Sequence, residues 1–385
     1  MQKTIWHVDL DSFFVSAERL RKPSLRNKCV AVGGTGPRSV IASCSYEARR
    51  YGVRSAMPTA QALRLCPQLI LCEPDHQYYS ELSDKVFALL DHYTPVFEIV
   101  SIDEAYLDMT GTESLFGPPS TAAQNLRREI ETKTGLTSSI GIGSNRLVAK
   151  IAGDHCKPNG LLEIAPGSEG SFLAPLSIAK LPGCGKVTQK WLVERGIKTL
   201  EQLQRYPIDV LERHLGKFGD YLHRAAWGEG STDFHREAKS RSISRETTFS
   251  VDVSNPEILK KCLSEMAEEL GRNLRESNEA TRTIRLKLRY PPFQTITRHR
   301  TFERPTQLDE AIYEAGLSLL EHSWDPHQPL RLIGLGCVLS SREPEQLDLF
   351  SDSSKDETKV KLAEIRDLLR QRFGERIIKN TRNIK

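Results

Sequence analysis

The sequence predicts an α+β multidomain protein, and three observations carry that prediction. The chain has 385 residues, more than one ordinary core holds, so about two to four domains are expected. Its first 165 residues follow the order strand, helix, hairpin, helix, strand, helix, the pattern of a sheet covered by helices on one face. After a basic polar run at 235–245, strict apolar–polar alternation at 283–290 marks a half-buried strand in a separate α+β unit. Short helices punctuated by glycine fill the interval 176–228.

Taken in order, Ile5-Trp6-His7-Val8-Asp9-Leu10-Asp11 reads as a central strand ending in acids. A helix follows over 12–20, with Asp11 or Ser12 placed to cap it. Asp9 lies inside an apolar strand and calls for a partner there. The free N–H groups of the first helical turn suit phosphate oxygens. Residues 24–75 form a small mixed unit, with strands at 29–32 and 39–43 around a glycine-rich turn. The helix 45–51 ends at Gly52 and carries Tyr46 and Arg49 three apart on one face. An arginine fork beside a phenol suits a phosphate tail, though such a pair also occurs as a plain surface contact.

A helix over 77–92 leads to the apolar runs 96–100 and 105–109, read as two strands. Asp103 and Glu104 sit between them. In one continuous strand they would point to opposite faces, whereas at a hairpin tip both can lean toward one point. Asp-Glu is not a favoured turn pair, and adjacent carboxylates repel unless a hard cation lies between them. A solvated acidic turn remains the plain alternative. Next come a helix over 121–134, a strand over 138–143, and a helix over 145–156 capped by Ser144 and ended by Lys157-Pro158-Asn159-Gly160. Gly141-Ile142-Gly143 lacks the third glycine of a dinucleotide fingerprint. Gly183-Cys184-Gly185-Lys186 lacks the first glycine and the hydroxyl residue of a P-loop.

Residues 181–196 instead resemble a helix–hairpin–helix, whose Gly183 and Gly185, with Lys186, let a nucleic-acid backbone approach closely. Beyond the linker 235–241, Arg285, Lys287 and Arg289 occupy the outward positions of one strand, and a strand at 295–302 adds Arg298 and Arg300. Five cations on two strands favour phosphate. Helices at 257–277 and 308–322 and a strand at 332–339 complete that unit. The polar tail from 342 onward is expected to be flexible, and Gln346-Leu347-Asp348-Leu349-Phe350 reads in it as a docking peptide before a last helix, 360–373.

Hydrophobic residues at 38% and charged residues at 27% describe a globular protein, and no run approaches the roughly 20 apolar residues of a membrane span. The N-terminus does not resemble a signal peptide, so a cytoplasmic location is expected. Eight scattered cysteines with no C-x-x-C pair suggest neither zinc nor disulfides. Net charge is +4, a weak hint of a polyanionic partner.

Five stretches in this order resemble the Y-family DNA polymerases, most closely the bacterial DinB group. They are His7-Val8-Asp9-Leu10-Asp11-Ser12-Phe13-Phe14, Tyr46-Glu47-Ala48-Arg49-Arg50-Tyr51-Gly52, Ser101-Ile102-Asp103-Glu104-Ala105-Tyr106, Gly141-Ile142-Gly143-Ser144-Asn145 and Lys157-Pro158-Asn159-Gly160. The resemblance implies a right hand: palm 1–23 and 76–165, fingers 24–75, thumb 166–234 and little finger 242–341. It implies that Asp9, Asp103 and Glu104, with the Leu10 carbonyl, hold two Mg²⁺ ions. Tyr46, Arg49 and Lys157 match the triphosphate clamp, helped by the N–H groups of Phe13 and Phe14. Phe14 matches the sugar gate, and the small residues Ala42, Ser43 and Ala56 imply loose contact with the nascent base pair. Gln346, Leu347, Leu349 and Phe350 resemble a sliding-clamp motif.

The function implied is error-prone, template-directed translesion DNA synthesis by a monomer. Its partners would be primer-template DNA, deoxynucleoside triphosphates and the sliding clamp (β subunit), and no stretch is left for a proofreading exonuclease. A silent DNA-binding scaffold would not need all three acids. A base-excision enzyme would need its own catalytic acid or lysine after the hairpin motif. A mutasome-type subunit of the same family is the nearer alternative. Whether Asp11 touches metal or only caps a helix stays open.

Overall fold

Alternation at the N-terminus builds the central strand: β1 (Ile5–Leu10) turns Trp6, Val8 and Leu10 to one side and Ile5, His7 and Asp9 to the other. The computed structural model describes residues 2–234, 242–340 and 353–374, and it divides into the units Met1–Glu237 and Ala238–Lys385.

In the first unit α1 (Phe13–Arg21) follows β1. A separate three-stranded sheet comes next, in the order β3-β2-β4, from β2 (Val30–Gly33), β3 (Ile41–Cys44) and β4 (Ile70–Cys72). It carries α2 (Tyr46–Arg50) and α3 (Thr59–Leu65) over a small core of Ala31, Ile41, Ala48, Val53 and Ala62. α4 (His76–Leu90) returns the chain to the main sheet through β5 (Phe97–Ile99) and β6 (Glu104–Asp108). Then come α5 (Glu113–Phe116), α6 (Pro119–Thr134), β7 (Ser138–Gly143), α7 (Arg146–Cys156) and β8 (Leu161–Glu163). The main sheet runs β5-β6-β1-β7-β8, with β1 antiparallel to both neighbours.

Helices cover both faces of this sheet, not one as the sequence suggested. Trp6, Val8, Ile140 and Ile142 pack with Leu82 and Val86 of α4 and Leu126 and Ile130 of α6. On the other face Ile5 and Tyr106 meet Ala149 of α7. Gly141 explains that second layer: a Cβ there would lie 2.0 Å from the Ala149 carbonyl oxygen, so only glycine lets α7 settle onto the sheet. α7 is capped by Asn145, whose side chain accepts from the Val148 N–H, and not by Ser144. Ser12 is the residue before α1, yet its side chain makes no capping bond, nor does that of Asp11.

Five short helices follow: α8 (Glu169–Leu173), α9 (Lys186–Val193), α10 (Leu200–Gln204), α11 (Ile208–Leu215) and α12 (Lys217–Ala226). They enclose Leu173, Leu192, Leu200, Leu211 and Leu222.

The second unit comprises β9 (Ser242–Val253), α13 (Pro256–Glu276), β10 (Ala280–Arg289), β11 (Thr295–Thr306), α14 (Asp309–Ser323), β12 (Leu330–Ser340) and α15 (Ser353–Phe373). Its antiparallel sheet has the order β11-β10-β12-β9. Leu259, Leu263 and Leu270 of α13 and Ile312 of α14 pack on Ile284, Leu286 and Leu288, leaving the opposite face open. α15 begins earlier than the predicted helix, and ion pairs join it to α13 and α14.

Candidate active site

Strand register assembles the acids. Asp9 pairs directly with Glu104 across β1 and β6, so both side chains leave the same face of the sheet. Asp103 precedes β6 in the bend of the hairpin, and its carbonyl accepts from Leu10 N–H at 2.9 Å, tying the two strand ends together. Ser83 of α4 donates to the Ile102 carbonyl at 2.6 Å, and Ser101 Oγ donates to Asp103 Oδ1 at 2.5 Å. The hairpin tip is therefore held by its own residues and by α4. The sequence placed both acids at the tip, whereas Glu104 is already the first residue of β6.

Each acid has a polar partner. Lys157 Nζ lies 2.7 Å from Asp9 Oδ2 and 2.8 Å from Asp154 Oδ1. Glu104 Oε1 accepts from His7 Nε2 at 2.7 Å and from Lys150 Nζ at 2.5 Å. Burial pushes the Asp9 carboxyl up to about 6 despite the opposing pull of Lys157. Burial would raise Glu104 too, but its bonds to His7 and Lys150 prevail and hold it near 2. Burial lowers the pKa of His7, so the ring is neutral and its Nε2–H serves as the donor. The ligand-capable atoms of His7, Asp9 and Glu104 lie within 4.8 Å of one another. Because the imidazole has no exposed surface and spends its Nε2 on Glu104, its place is behind the carboxylate.

Lys150 and Lys157 thus serve Asp9, Glu104 and Asp154, and Asp103 beside them makes no ion pair among the described residues. The surplus of acids fits cations, and the lysine already seated on Asp9 shows that a positive charge is accommodated there. Oxygen donors suit a hard ion such as Mg²⁺.

A cleft continues from these acids along Leu10, Ser12, Phe13, Phe14, Ala42, Ser43, Tyr46, Arg49, Ser55 and Lys157. Ser45 caps α2 through the Ala48 N–H, fixing the turn that carries Tyr46 and Arg49. The Arg49 guanidinium stands 4.6 Å from the Tyr46 ring centroid, and its Nε donates to the Cys44 carbonyl. Opposite them the first turn of α1 has no side-chain cap. Phe14 stacks on Tyr79 at 4.4 Å with an interplanar angle of 16°, which holds its ring in the cleft. Ser55, not Ala56, completes the finger-side wall.

Gly183 has φ of +83°, and Gly185 immediately precedes Lys186 at the start of α9. In the second unit, the register corrects one reading. Arg298 pairs with Leu286 and Arg300 with Ile284, so these two arginines leave the sheet on the helix-covered side. Arg285, Lys287 and Arg289 are on the open side, opposite His299, Thr297 and Thr295. Lys287 is also bonded to both Glu246 oxygens, at 2.8 and 2.9 Å. Gln346, Leu347, Leu349 and Phe350 lie outside the described residues, as does the linker 235–241.

Sequence reasoning did not single out His7, Lys150 or Asp154. A signal existed for His7, since alternation puts it on the same face as Asp9, one pleat away. Lys150 and Asp154 are four apart on α7 and share a helix face.

Comparison with known proteins agrees with this geometry. Residues 8–154 match the impB/mucB/samB family, residues 240–349 its C-terminal domain, and residues 179–229 the DNA polymerase-iota thumb domain. DNA polymerase IV of Dehalococcoides mccartyi strain CBDB1 is 39% identical over 374 residues, spanning 97% of this chain and 95% of that protein. DNA polymerase IV of Desulfatibacillum aliphaticivorans is 38% identical over 375 residues, again 97% of this chain and 95% of the relative. Among solved structures, a Dbh–Dpo4–Dbh Y-family polymerase chimera superposes with a TM-score of 0.76 at 25% identity, covering 87% of this chain and 98% of that one. DinB from Sulfolobus solfataricus gives 0.58 at 27% identity, with the same coverage. A strand register that gathers acids beside a cleft lined by Tyr46 and Arg49, and relatives matched over nearly their whole length, lead to one conclusion: the chain belongs to the Y-family DNA polymerases and is a DNA-directed DNA polymerase of the translesion kind.

Proposed function

We propose that the chain extends a primer by two-metal nucleotidyl transfer, with residues 1–23 and 76–165 as palm, 24–75 as fingers, 166–234 as thumb and 242–341 as little finger. Asp9, Asp103 and Glu104, with the Leu10 carbonyl, would hold two Mg²⁺ ions. When bound, such a pair supplies activation of the primer 3′-hydroxyl and neutralisation of the triphosphate. The single observation that carries this reading is the gathering of Asp9 and Asp103, with Glu104 paired beside Asp9 in the sheet, at one end of a cleft that Tyr46, Arg49 and Lys157 also line.

The protein's own groups divide the remaining work. Arg49, Lys157 and Tyr46 form the triphosphate site, Ser43 contributes a hydroxyl, and the α1 N–H groups of Phe13 and Phe14 donate to phosphate oxygens. His7 and Lys150 orient Glu104 through one oxygen, leaving the other for a ligand. Phe14, braced on Tyr79, excludes a 2′-hydroxyl by bulk. The Gly183–Gly185 turn with Lys186, and the little-finger cations, grip DNA phosphates without reading bases. Gln346, Leu347, Leu349 and Phe350 tether the enzyme to a sliding clamp, raising its effective concentration at the primer end. The enzyme acts as a cytoplasmic monomer, without proofreading.

The test is primer extension on plain and adduct-bearing templates across a Mg²⁺ titration. Metal-dependent extension past the adduct is expected. Extension that persists in full with chelator present would overturn the two-metal reading.

A further inference from the structure

Asp11 stands two residues beyond Asp9, yet its carboxylate is bonded to neither lysine of the acidic cluster. Its side chain is 3% exposed, and it makes no ion pair among the described residues. Its carboxylate accepts three bonds instead, all from uncharged donors. Ser139 Oγ of β7 and the Tyr46 hydroxyl of α2 reach Oδ1 at 2.8 and 3.3 Å, and the Asn159 N–H reaches Oδ2 at 2.8 Å. A buried carboxylate without a cation persists only where donors are held in place around it.

The donors come from the parts that form the nucleotide cleft. Tyr46 shares α2 with Arg49, Asn159 lies two residues after Lys157, and α1 begins immediately after Asp11 and Ser12. The turn at 157–160 is also gripped from its far side, where the Arg127 guanidinium donates to the Asn159 carbonyl and side chain. One carboxylate therefore links the tyrosine and lysine walls of the cleft to the strand that bears Asp9.

We propose that Asp11 is a positioning residue for the incoming nucleotide, holding Tyr46 and the Lys157 turn at the spacing a triphosphate needs while touching neither metal nor reacting atoms. This rests on the reading of Tyr46, Arg49 and Lys157 as the triphosphate site. An Asp11→Asn side chain has the same size but one acceptor oxygen in place of two, so it cannot satisfy all three donors.

The test is single-nucleotide insertion by full-length Asp11→Asn. KM should rise roughly tenfold or more for every deoxynucleotide, as expected for loss of a charge-assisted bond. kcat should stay within about twofold, with unchanged Mg²⁺ dependence and unchanged ribonucleotide discrimination. Nucleotide affinity on a dideoxy-terminated primer, a readout free of turnover, should fall by the same factor as KM rises. Ser139→Ala, which removes one donor outside the cleft, should give a smaller KM rise of the same kind and decides the matter if Asp11→Asn does not fold. A fall in kcat with altered Mg²⁺ dependence would make Asp11 a metal ligand and overturn the proposal. Lower thermal stability with unchanged KM in both variants would overturn it as well. Arg49→Ala separates the two levels: a KM unaffected by it would sink the triphosphate site itself, whereas a raised KM there beside a normal one in Asp11→Asn would sink only the role of Asp11.

Discussion

Two clusters of paired charge, one in each unit, are built on opposite plans. In the second unit Arg275, Arg366 and Arg370 meet Asp309, Asp367 and Glu268, three cations for three acids, with Arg275 and Arg370 only 5% exposed. In the first unit, among the described residues, Lys150 and Lys157 are the cations paired with Asp9, Glu104 and Asp154, and Asp103 has none. The matched cluster balances its charges among the described residues and joins α15 to α13 and α14. An unmatched one is stable only with further positive charge, which is the electrostatic mark of a site awaiting a ligand. The first cluster is also the more open, with the Asp154 side chain 40% exposed against 8% for Asp309, so balance and access both set it apart.

The largest expected effect removes an acid from the unmatched cluster. Asp103→Ala or Glu104→Ala should cut the rate of extension roughly a thousandfold or more, the scale on which members of a catalytic set act. Binding of primer-template should hardly change, because phosphate contacts elsewhere carry it. Rapid-quench extension beside equilibrium DNA binding measures both. Near-normal extension by both variants would remove the distinction between the clusters.

The matched cluster should respond in stability. Asp309→Ala leaves Arg275 and Arg366 without their shared partner and should cost about 3–5 kcal/mol in denaturant unfolding. The extension rate per folded molecule should be unchanged. A loss of rate without a loss of stability would show that α15 and its neighbours contribute to catalysis.

A smaller effect sharpens the contrast through pH. The Asp9 carboxyl titrates near 6 in the folded chain against an ordinary value of 3.8, so the folded state binds the proton more tightly than the unfolded one. The ionised form therefore opposes folding. That cost is absent below the unfolded value, grows as pH rises, and is complete above about 6. Without divalent metal, Asp9→Asn should be more stable than the parent by on the order of 1–3 kcal/mol at pH 7, with the gap closing toward pH 4. Thermal melts in chelator across that range would measure it. A constant gap would mean that the Asp9 charge is not what costs stability.

What could be read from the sequence was whatever one strand or helix carries by itself. Asp9 in an apolar strand, Asp103 and Glu104 between two β runs, and Tyr46 with Arg49 on one helix face are local patterns. The pairing of His7 and Lys150 with Glu104 joins residues 97 and 46 positions apart, and no local period encodes it. The same holds for Asp11, whose donors lie 35 to 148 positions away. The docking of α15 escaped for another reason: its large apolar residues Leu362, Ile365 and Leu368 stay exposed, while Arg366, Asp367 and Arg370 make ion pairs to residues 57 to 102 positions away. The two arginines of β11 were legible and misread, since Ile296 and Phe302, which share their parity, pack against the core.

That last difference yields the smallest and most local prediction. Arg285 and Arg298 are both exposed cations on adjacent strands, but one leaves the open face and the other the helix-covered face. A DNA backbone laid along one face of a sheet cannot meet both. The open face offers closer approach, because Gly334 and Gly336 of β12 pair with Lys287 and Arg285 and put no side chain between them and β9. Arg285→Ala should therefore weaken primer-template binding equally for all sequences and reduce the slope of log affinity against log salt by about one. Arg298→Ala should leave that slope nearly unchanged. Lys287→Ala should have an intermediate effect, since its charge is already shared with Glu246 and its removal exposes that acid. Filter binding or anisotropy over a salt series resolves slopes of this size. Should Arg298→Ala alone flatten the slope, the phosphates run past the helix-covered edge of β11, and the open face has some other role.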